Sequence, residues 1–286
     1  MLKFTNMRLY TIDTGFFKLD GGGMFGAVPK VIWNKTNPAD ENNLCSWAMR
    51  SLLIEDGDRL ILIDNGIGDK QDDKFFRHYY LHGDMNLHSS LAANGFLADD
   101  ITDVFLTHLH FDHCGGSVEW NKDRSRFQMT FKNARYWSNA DHWKWATEPN
   151  NREKASFLRD NIMPIKEAGH LNFVNQEKNV FNDFDVLLVN GHTEAQMIPH
   201  IAYKNKTIVF AADLLPSTGH IPLPYIMGYD TRPLLTLTEK EKFLKNAAEQ
   251  GYILFLQHDN YNECCTLKQT DKGVRLMDTF KLKDIL

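Results

Sequence analysis

The sequence is short of cysteine, with four in 286 residues: Cys45, Cys114, Cys264 and Cys265. None forms a C-x-x-C pair, and the adjacent Cys264 and Cys265 are poorly placed to bridge each other. That argues against a disulfide framework, and reduced, partly buried thiols are the expectation. No apolar run approaches the roughly 20 residues of a membrane-spanning helix, which argues against an integral membrane protein. Basic charge is not in excess either. Lys and Arg number 32 against 37 Asp and Glu, for a net charge of -5. A nucleic-acid binder needs a basic surface, so none is expected as a partner. The N-terminus, Met1-Leu-Lys-Phe-Thr-Asn-Met-Arg8, lacks a long apolar region and a small-residue cleavage site, and it reads as the start of a cytoplasmic chain. Repeats, low-complexity tracts and long linkers are also missing. What is present is ordinary for a globular protein: 43% hydrophobic and 24% charged residues. The length suits one large domain or two smaller ones. With no linker in view, a single domain over residues 1–286 is the expectation.

Strand and helix signals alternate along the chain. Ser51–Glu55 and Arg59–Ile63 read as a hairpin around Asp56-Gly57-Asp58. Further strands are expected over Ile101–Thr107, Phe184–Val189, His200–Tyr203, Thr207–Ala212 and Tyr252–Gln257. Helices are expected over Asn86–Ala93, Arg152–Ala168 apart from Pro164, and Thr238–Glu249. The aromatic stretch Tyr136–Trp145 reads as helical, with Tyr136, Trp137, Trp143 and Trp145 packing a helix or a dimer surface. Asn34–Asn43 reads as a loop. The pattern predicts an α/β protein with mixed sheets and helices outside.

The most informative segment is Thr107-His108-Leu-His110-Phe-Asp112-His113-Cys-Gly115-Gly116. It places four metal-ligand side chains within six residues. His108 and His110 leave the end of a strand, where residues i and i+2 point the same way. The turn that follows brings Asp112 and His113 to a neighbouring position, and two glycines let the backbone pass close by. Three other apolar runs are each followed by a ligand-type residue: His192, Asp213 and His258. In α/β sheets the C-terminal strand edge is where ligands bind. Five histidines and two aspartates suit two divalent ions, zinc first, with manganese, iron or cobalt as alternatives.

These residues resemble the metallo-β-lactamase superfamily. The resemblance rests on Thr107–Gly116, Gly191-His192-Thr193, Ala212-Asp213 and His258, with the hairpin end Leu62-Ile-Asp64-Asn-Gly66 added. It implies an αββα four-layer sandwich with two mixed β-sheets and a dinuclear site at one edge. It implies that His108, His110 and His192 hold one metal, that Asp112, His113 and His258 hold the other, and that Asp213 and a hydroxide bridge them. Asp112 is implied as the proton carrier, and Asp64 and Thr107 as supports for ligand histidines. Asp213 is similar to the bridging residue that lactamases themselves generally lack, which points away from β-lactams. Leu19-Asp-Gly-Gly-Gly-Met24-Phe25 through Trp33 looks like the entry segment of the branch holding quorum-quenching N-acyl-homoserine lactonases and methyl-parathion-type hydrolases. Some lactonases carry a tyrosine shortly after the bridging aspartate. Here Leu214-Leu-Pro-Ser-Thr-Gly-His220 has none, so His220, Tyr225 or Tyr229 is the substitute to look for.

The expected pocket is apolar, drawn from Met24, Phe25, Trp33, Phe111, Leu214, Tyr225, Met227 and Tyr229. The expected activity is metal-dependent hydrolysis of a lactone or related carboxylic ester in a small-molecule substrate. The alternatives are a phosphotriester, phosphodiester or aryl-ester hydrolase on the same metals, and a non-catalytic metabolite sensor. A homodimer is an open alternative as a partner.

Overall fold

Period-two alternation along a strand sorts its side chains onto two faces. The computed structural model describes residues 7–285 and shows where each face goes; residues 1–6, most of the stretch read for a leader, lie outside that range. In β1 (Arg8–Asp20), β2 (Leu44–Asp56) and β3 (Arg59–Ile63), the side chains of Leu9, Leu52, Ile54, Ile61 and Ile63 enter one buried cluster. Those of Ile12, Leu53 and Leu62 enter another on the opposite face. These three strands are antiparallel, and β4 (Asp103–Phe105) pairs parallel to β3. A separate small pair, β5 (Val118–Trp120) and β6 (Phe127–Met129), precedes β7 (Arg135–Asn139) and β8 (Leu171–Val174). The last two complete a six-stranded mixed sheet in the order β1-β2-β3-β4-β7-β8.

The second sheet is also six-stranded and mixed. It holds β9 (Phe184–Val189), β10 (Gln196–Tyr203), β11 (Lys206–Phe210), β12 (Ile253–Phe255), β13 (Cys264–Thr270) and β14 (Gly273–Phe280), in reverse order across the sheet. Phe184, Ile198, Ile201, Ile208 and Phe210 share a cluster with Leu52, Ile63 and Phe105, so the two sheets pack face to face. Truncating a wholly buried member such as Ile63 or Phe105 costs about 2–5 kcal/mol.

Helices cover the outer faces. After the short α1 (Gly21–Phe25), α2 (Lys30–Trp33) and α3 (Asp73–Phe76) comes α4 (Leu87–Ala93), capped by Asn86 and Ser89 in a capping box. Beyond the single-turn α5 (Phe111–Cys114) lie α6 (Ala140–Thr147) and α7 (Arg159–Glu167). Leu91, Trp143, Ile162 and Ile165 join the cluster on the outer face of the first sheet. On the second sheet, α8 (Pro233–Gln250) contributes Phe243, Leu244 and Ala247. The layers are therefore helix, sheet, sheet, helix. No helix among the described residues is long and apolar enough to cross a membrane.

Several elements differ from the sequence expectation. Tyr136–Trp145 is not one helix: β7 runs to Asn139, whose side chain caps α6 by accepting from the Asp141 and His142 amides. Of Arg152–Ala168 only Arg159–Glu167 is helical, and the residues before it form turns. β1 escaped notice because its pairing with β2 shifts between Asp13 and Phe16, breaking the alternation that marks a strand. The hairpin of β13 and β14 has much exposed polar surface and so carried little pattern. Gly21-Gly22-Gly23, given no element in the sequence reading, form the first three residues of α1.

Candidate metal centre

β9 and β11 are both antiparallel to β10, and β12 is parallel to β11. The three strands β9, β11 and β12 therefore run the same way and end on one edge of the second sheet. His192, Asp213 and His258 follow those ends. β4 of the first sheet delivers His108 and His110, and α5 carries Asp112 and His113. The two glycines after α5 allow the loop to lie against its neighbour. A Cβ on Gly115 would sit 2.1 Å from the Ile67 carbonyl oxygen, and one on Gly116 would sit 2.3 Å from that of Asn65.

The seven side chains converge as two sets: His108, His110, His192 and Asp213, and Asp112, His113 and His258. Asp213 spans both. Its Oδ2 lies 3.1 Å from His192 Nε2 and 3.8 Å from His108 Nε2. Its Oδ1 lies 3.1 Å from His258 Nε2 and 3.4 Å from His113 Nε2. Asp112 Oδ2 is 3.7 Å from both His113 and His258 Nε2.

Imidazole nitrogens face one another at the centre. His108 Nε2 is 3.0 Å from His110 Nδ1, His192 Nε2 is 3.2 Å from the same atom, and His258 Nε2 is 3.2 Å from His113 Nε2. The opposite nitrogen of each ring is already engaged. His113 Nδ1 donates to Asp64 Oδ2 at 2.9 Å, and His192 Nδ1 to Asp230 Oδ1 at 2.8 Å. His110 Nε2 donates to Glu153 Oε1 at 2.9 Å, and His258 Nδ1 to the Ala48 carbonyl at 2.7 Å. His108 Nδ1 donates to Thr107 Oγ1 at 3.1 Å, and that hydroxyl in turn donates to Asp64 Oδ2 at 2.8 Å. Each outer bond sets the tautomer so that a lone pair points inward, which is the arrangement a bound cation requires.

The electrostatics agree. Burial lowers the proton affinity of both His108 and His110; neighbouring imidazoles lower that of His108 further, and for His110 burial outweighs the opposing pull of Glu153, so both favour the neutral form that a metal ligand needs. Burial opposes charge on His192 too, yet Asp213 and Asp230 raise it to about 10. Burial alone would raise the Asp213 carboxyl, but His113, His258 and His192 hold it well below its usual range. The carboxylates thus favour positive charge in a buried site, which a divalent cation would supply. The residues fit a metal.

A buried cluster of this chemistry at the strand edge of a four-layer sandwich defines a metal-dependent hydrolase centre. Residues 50–258 match the profile of the metallo-beta-lactamase superfamily, and the chain belongs to that superfamily. Comparison with curated proteins finds no match. Among solved structures, the chain is similar to a probable metal-dependent hydrolase from Staphylococcus aureus, at 25% identity and a TM-score of 0.85, covering 98% of this chain and 100% of that one. It is also similar in fold to AidC, a dizinc quorum-quenching lactonase, at 24% identity and a TM-score of 0.77, covering 98% and 97% of the two chains. A third likeness, also in fold, is to the hydrolase AbOPH, at 20% identity and a TM-score of 0.77, with 96% of each chain covered.

A cavity of about 400 Å³ opens onto the cluster. Met24, Phe111, Met227 and Tyr229 line it, as do His110, Asp112, His192, Asp213 and His258. Phe25, Trp33, Leu214, His220 and Tyr225 do not, which corrects the expectation for those five. Phe25 is wholly buried and stacks on Trp33 at 5.3 Å and on His220 at 4.4 Å, because aromatic faces gain more from one another than from the cavity. The column supports the wall from behind. His220 Nε2 donates to the Met24 carbonyl at 2.9 Å and its Nδ1 accepts from Ser217, while burial pushes its pKa down to about 3. Leu214 and Tyr225 flank a narrower recess beside Lys240. Gly21 and Gly23 are glycines for packing: a Cβ would lie 2.3 Å from the Trp33 ring and 2.5 Å from the Tyr229 hydroxyl, respectively.

Sequence reasoning missed Phe17, Leu19, Tyr79 and Arg152 on the cavity wall, and Glu153 and Asp230 behind the histidines. Glu153 and Arg152 lay in a stretch read as helix, and Asp230 carried no local signal. A buried carboxylate far along the chain from any ligand motif becomes visible only when the fold closes.

Proposed function

We infer that this chain is a dinuclear hydrolase that opens a lactone or cleaves a related carboxylic ester. The observation that supports it best is Asp213, whose two oxygens each face one ligand set at the floor of a largely apolar cavity. His108, His110 and His192 would hold one ion, His113, His258 and Asp112 the other, and Asp213 both; zinc suits this imidazole-rich set. When bound, two such ions supply Lewis acidity toward a carbonyl oxygen and a nucleophile at neutral pH.

The chain's own residues do the rest. Asp112 reaches the cavity and is the one ligand carboxylate outside the Asp213 span, so it can take a proton from attacking water and return it to the leaving oxygen. Phe17, Met24, Phe111 and Met227 give an apolar surface for an acyl or alkyl group and exclude bulk water. Burial pushes the Tyr79 and Tyr229 phenols up to about 12, with Asp112 adding to both, so each stays protonated and can donate to a substrate oxygen. The likeness to AidC supports the lactone side of this reading and the imidazole-rich set supports zinc, while the choice among ester substrates rests on turnover.

The test is a proton-release assay on metal-loaded protein with N-acyl-homoserine lactones, simple δ-lactones, aryl esters and a phosphotriester. The expected result is lactone turnover with kcat/KM above about 10⁴ M⁻¹s⁻¹. Turnover of the phosphotriester alone moves the assignment to phosphoester hydrolysis on the same ligands. Ligand binding with no turnover of any kind makes the chain a sensor.

A further inference from the structure

Two stretches of irregular chain form opposite sides of the cavity. Residues 148–158, between α6 and α7, bring Arg152, Ala155 and Ser156 to it, and residues 226–230 bring Met227, Gly228 and Tyr229. Each stretch is anchored at its inner end. On one side, Glu153 accepts from His110, from Trp145 Nε1 at 2.6 Å and from Asn150 Nδ2 at 3.2 Å, and the Ser156 carbonyl accepts from the Phe111 amide at 3.0 Å. On the other, Asp230 accepts from His192, and the Gly228 amide donates to the Gly23 carbonyl at 2.8 Å.

One side chain spans the gap between them. Arg152 Nη2 donates to the Gly228 carbonyl and, at 3.2 Å, to the Asp230 carbonyl. No other hydrogen bond joins the two stretches among the described residues. Arg152 is exposed, which sets the bridge at the mouth, and it has no carboxylate partner among the described residues. Both protons of Nη2 lie in the rigid guanidinium plane, so a single group holds both carbonyls at one spacing, which a flexible ammonium does less well.

We propose that Arg152 is a specificity-determining residue, a crossbar whose bonds to Gly228 and Asp230 set the width of the cavity and hence the bulk of the acyl group admitted. The proposal rests on the ester reading for the compounds that enter. It separates two tasks carried by neighbours in sequence: Glu153 holds a metal-facing histidine, and Arg152 holds the wall. Cutting the crossbar widens the mouth while the inner anchors keep the ligand histidines in place.

The experiment uses the zinc-loaded full chain as wild type, Arg152→Ala, Arg152→Lys and Glu153→Ala. Aryl esters of acetic and diphenylacetic acid are assayed, binding of the two free carboxylates is measured by calorimetry, and zinc affinity is measured by chelator competition. In Arg152→Ala, the kcat/KM ratio of bulky to small ester should rise about fivefold or more, through KM, and the carboxylate affinities should shift the same way. Zinc affinity should stay within about twofold of wild type there, whereas Glu153→Ala should lose about tenfold or more. Arg152→Lys should fall between wild type and Arg152→Ala. Unchanged ratios in Arg152→Ala overturn the proposal, as does a loss of zinc affinity matching Glu153→Ala. If no ester turns over but the carboxylate preference shifts, the crossbar stands and the ester reading falls. If wild type binds neither carboxylate, the proposal is overturned.

Discussion

Behind the five metal-facing histidines, every outward ring nitrogen has an acceptor at 2.7–3.1 Å. On the opposite wall the phenols of Tyr79 and Tyr229 have no hydrogen-bond partner among the described residues. The two halves of one cavity are therefore held to different degrees. The metal side is over-determined, with ligands on strand ends and supports drawn from Asp64, Thr107, Glu153 and Asp230. The wall side is built from the end of β1, turns and short helices, and its two phenols are left for a visitor. Rigid placement serves a reaction whose geometry does not vary, while a less constrained wall lets the same reaction meet different substrates.

Substitutions can break this contrast, and the largest effect is expected at a ligand. His110→Ala should remove one nitrogen from the His108–His192 set, lower the metal content per chain and cut hydrolysis by more than about 10³-fold. Elemental analysis beside an ester assay checks it, and full activity in that variant would sink the metal assignment. A step outward, Asp230→Ala frees the His192 ring and should weaken metal affinity by about 10–100-fold while leaving the fold intact. Chelator competition and circular dichroism measure the two parts, and an unchanged affinity would show that the support is redundant. The smallest effect is expected at the wall. Tyr79→Phe and Tyr229→Phe should each change kcat/KM by less than about tenfold, with no change in metal affinity, because neither hydroxyl holds another part of the protein. A loss of metal in either variant would erase the distinction between the halves.

The legible part of the site and the illegible part divide along the same line. His108, His110, Asp112 and His113 stand within six residues, and His192, Asp213 and His258 each follow an apolar run, so strand periodicity and spacing were enough to collect them. Thr107 and Asp64 came with the family resemblance, through Thr107–Gly116 and the hairpin end Leu62–Gly66. Phe25 and Trp33 were misassigned to the pocket because an aromatic residue near a glycine run looks the same in sequence whether it faces a cavity or a stack. Arg152 and Glu153 were hidden in a segment whose helical pattern the turns override.

The sequence by itself determined the His108–His113 motif, the apolar runs that lead into His192, Asp213 and His258, and the hairpin at Gly57, since each depends on residues close along the chain. Only the tertiary structure decided which faces of β2 and β3 meet the second sheet, how Asp213 spans both ligand sets, and which carboxylates stand behind His110 and His192. Those facts depend on residues tens of positions apart, Glu153 against His110 and Asp230 against His192, whose proximity is a consequence of packing two sheets and not of any local preference.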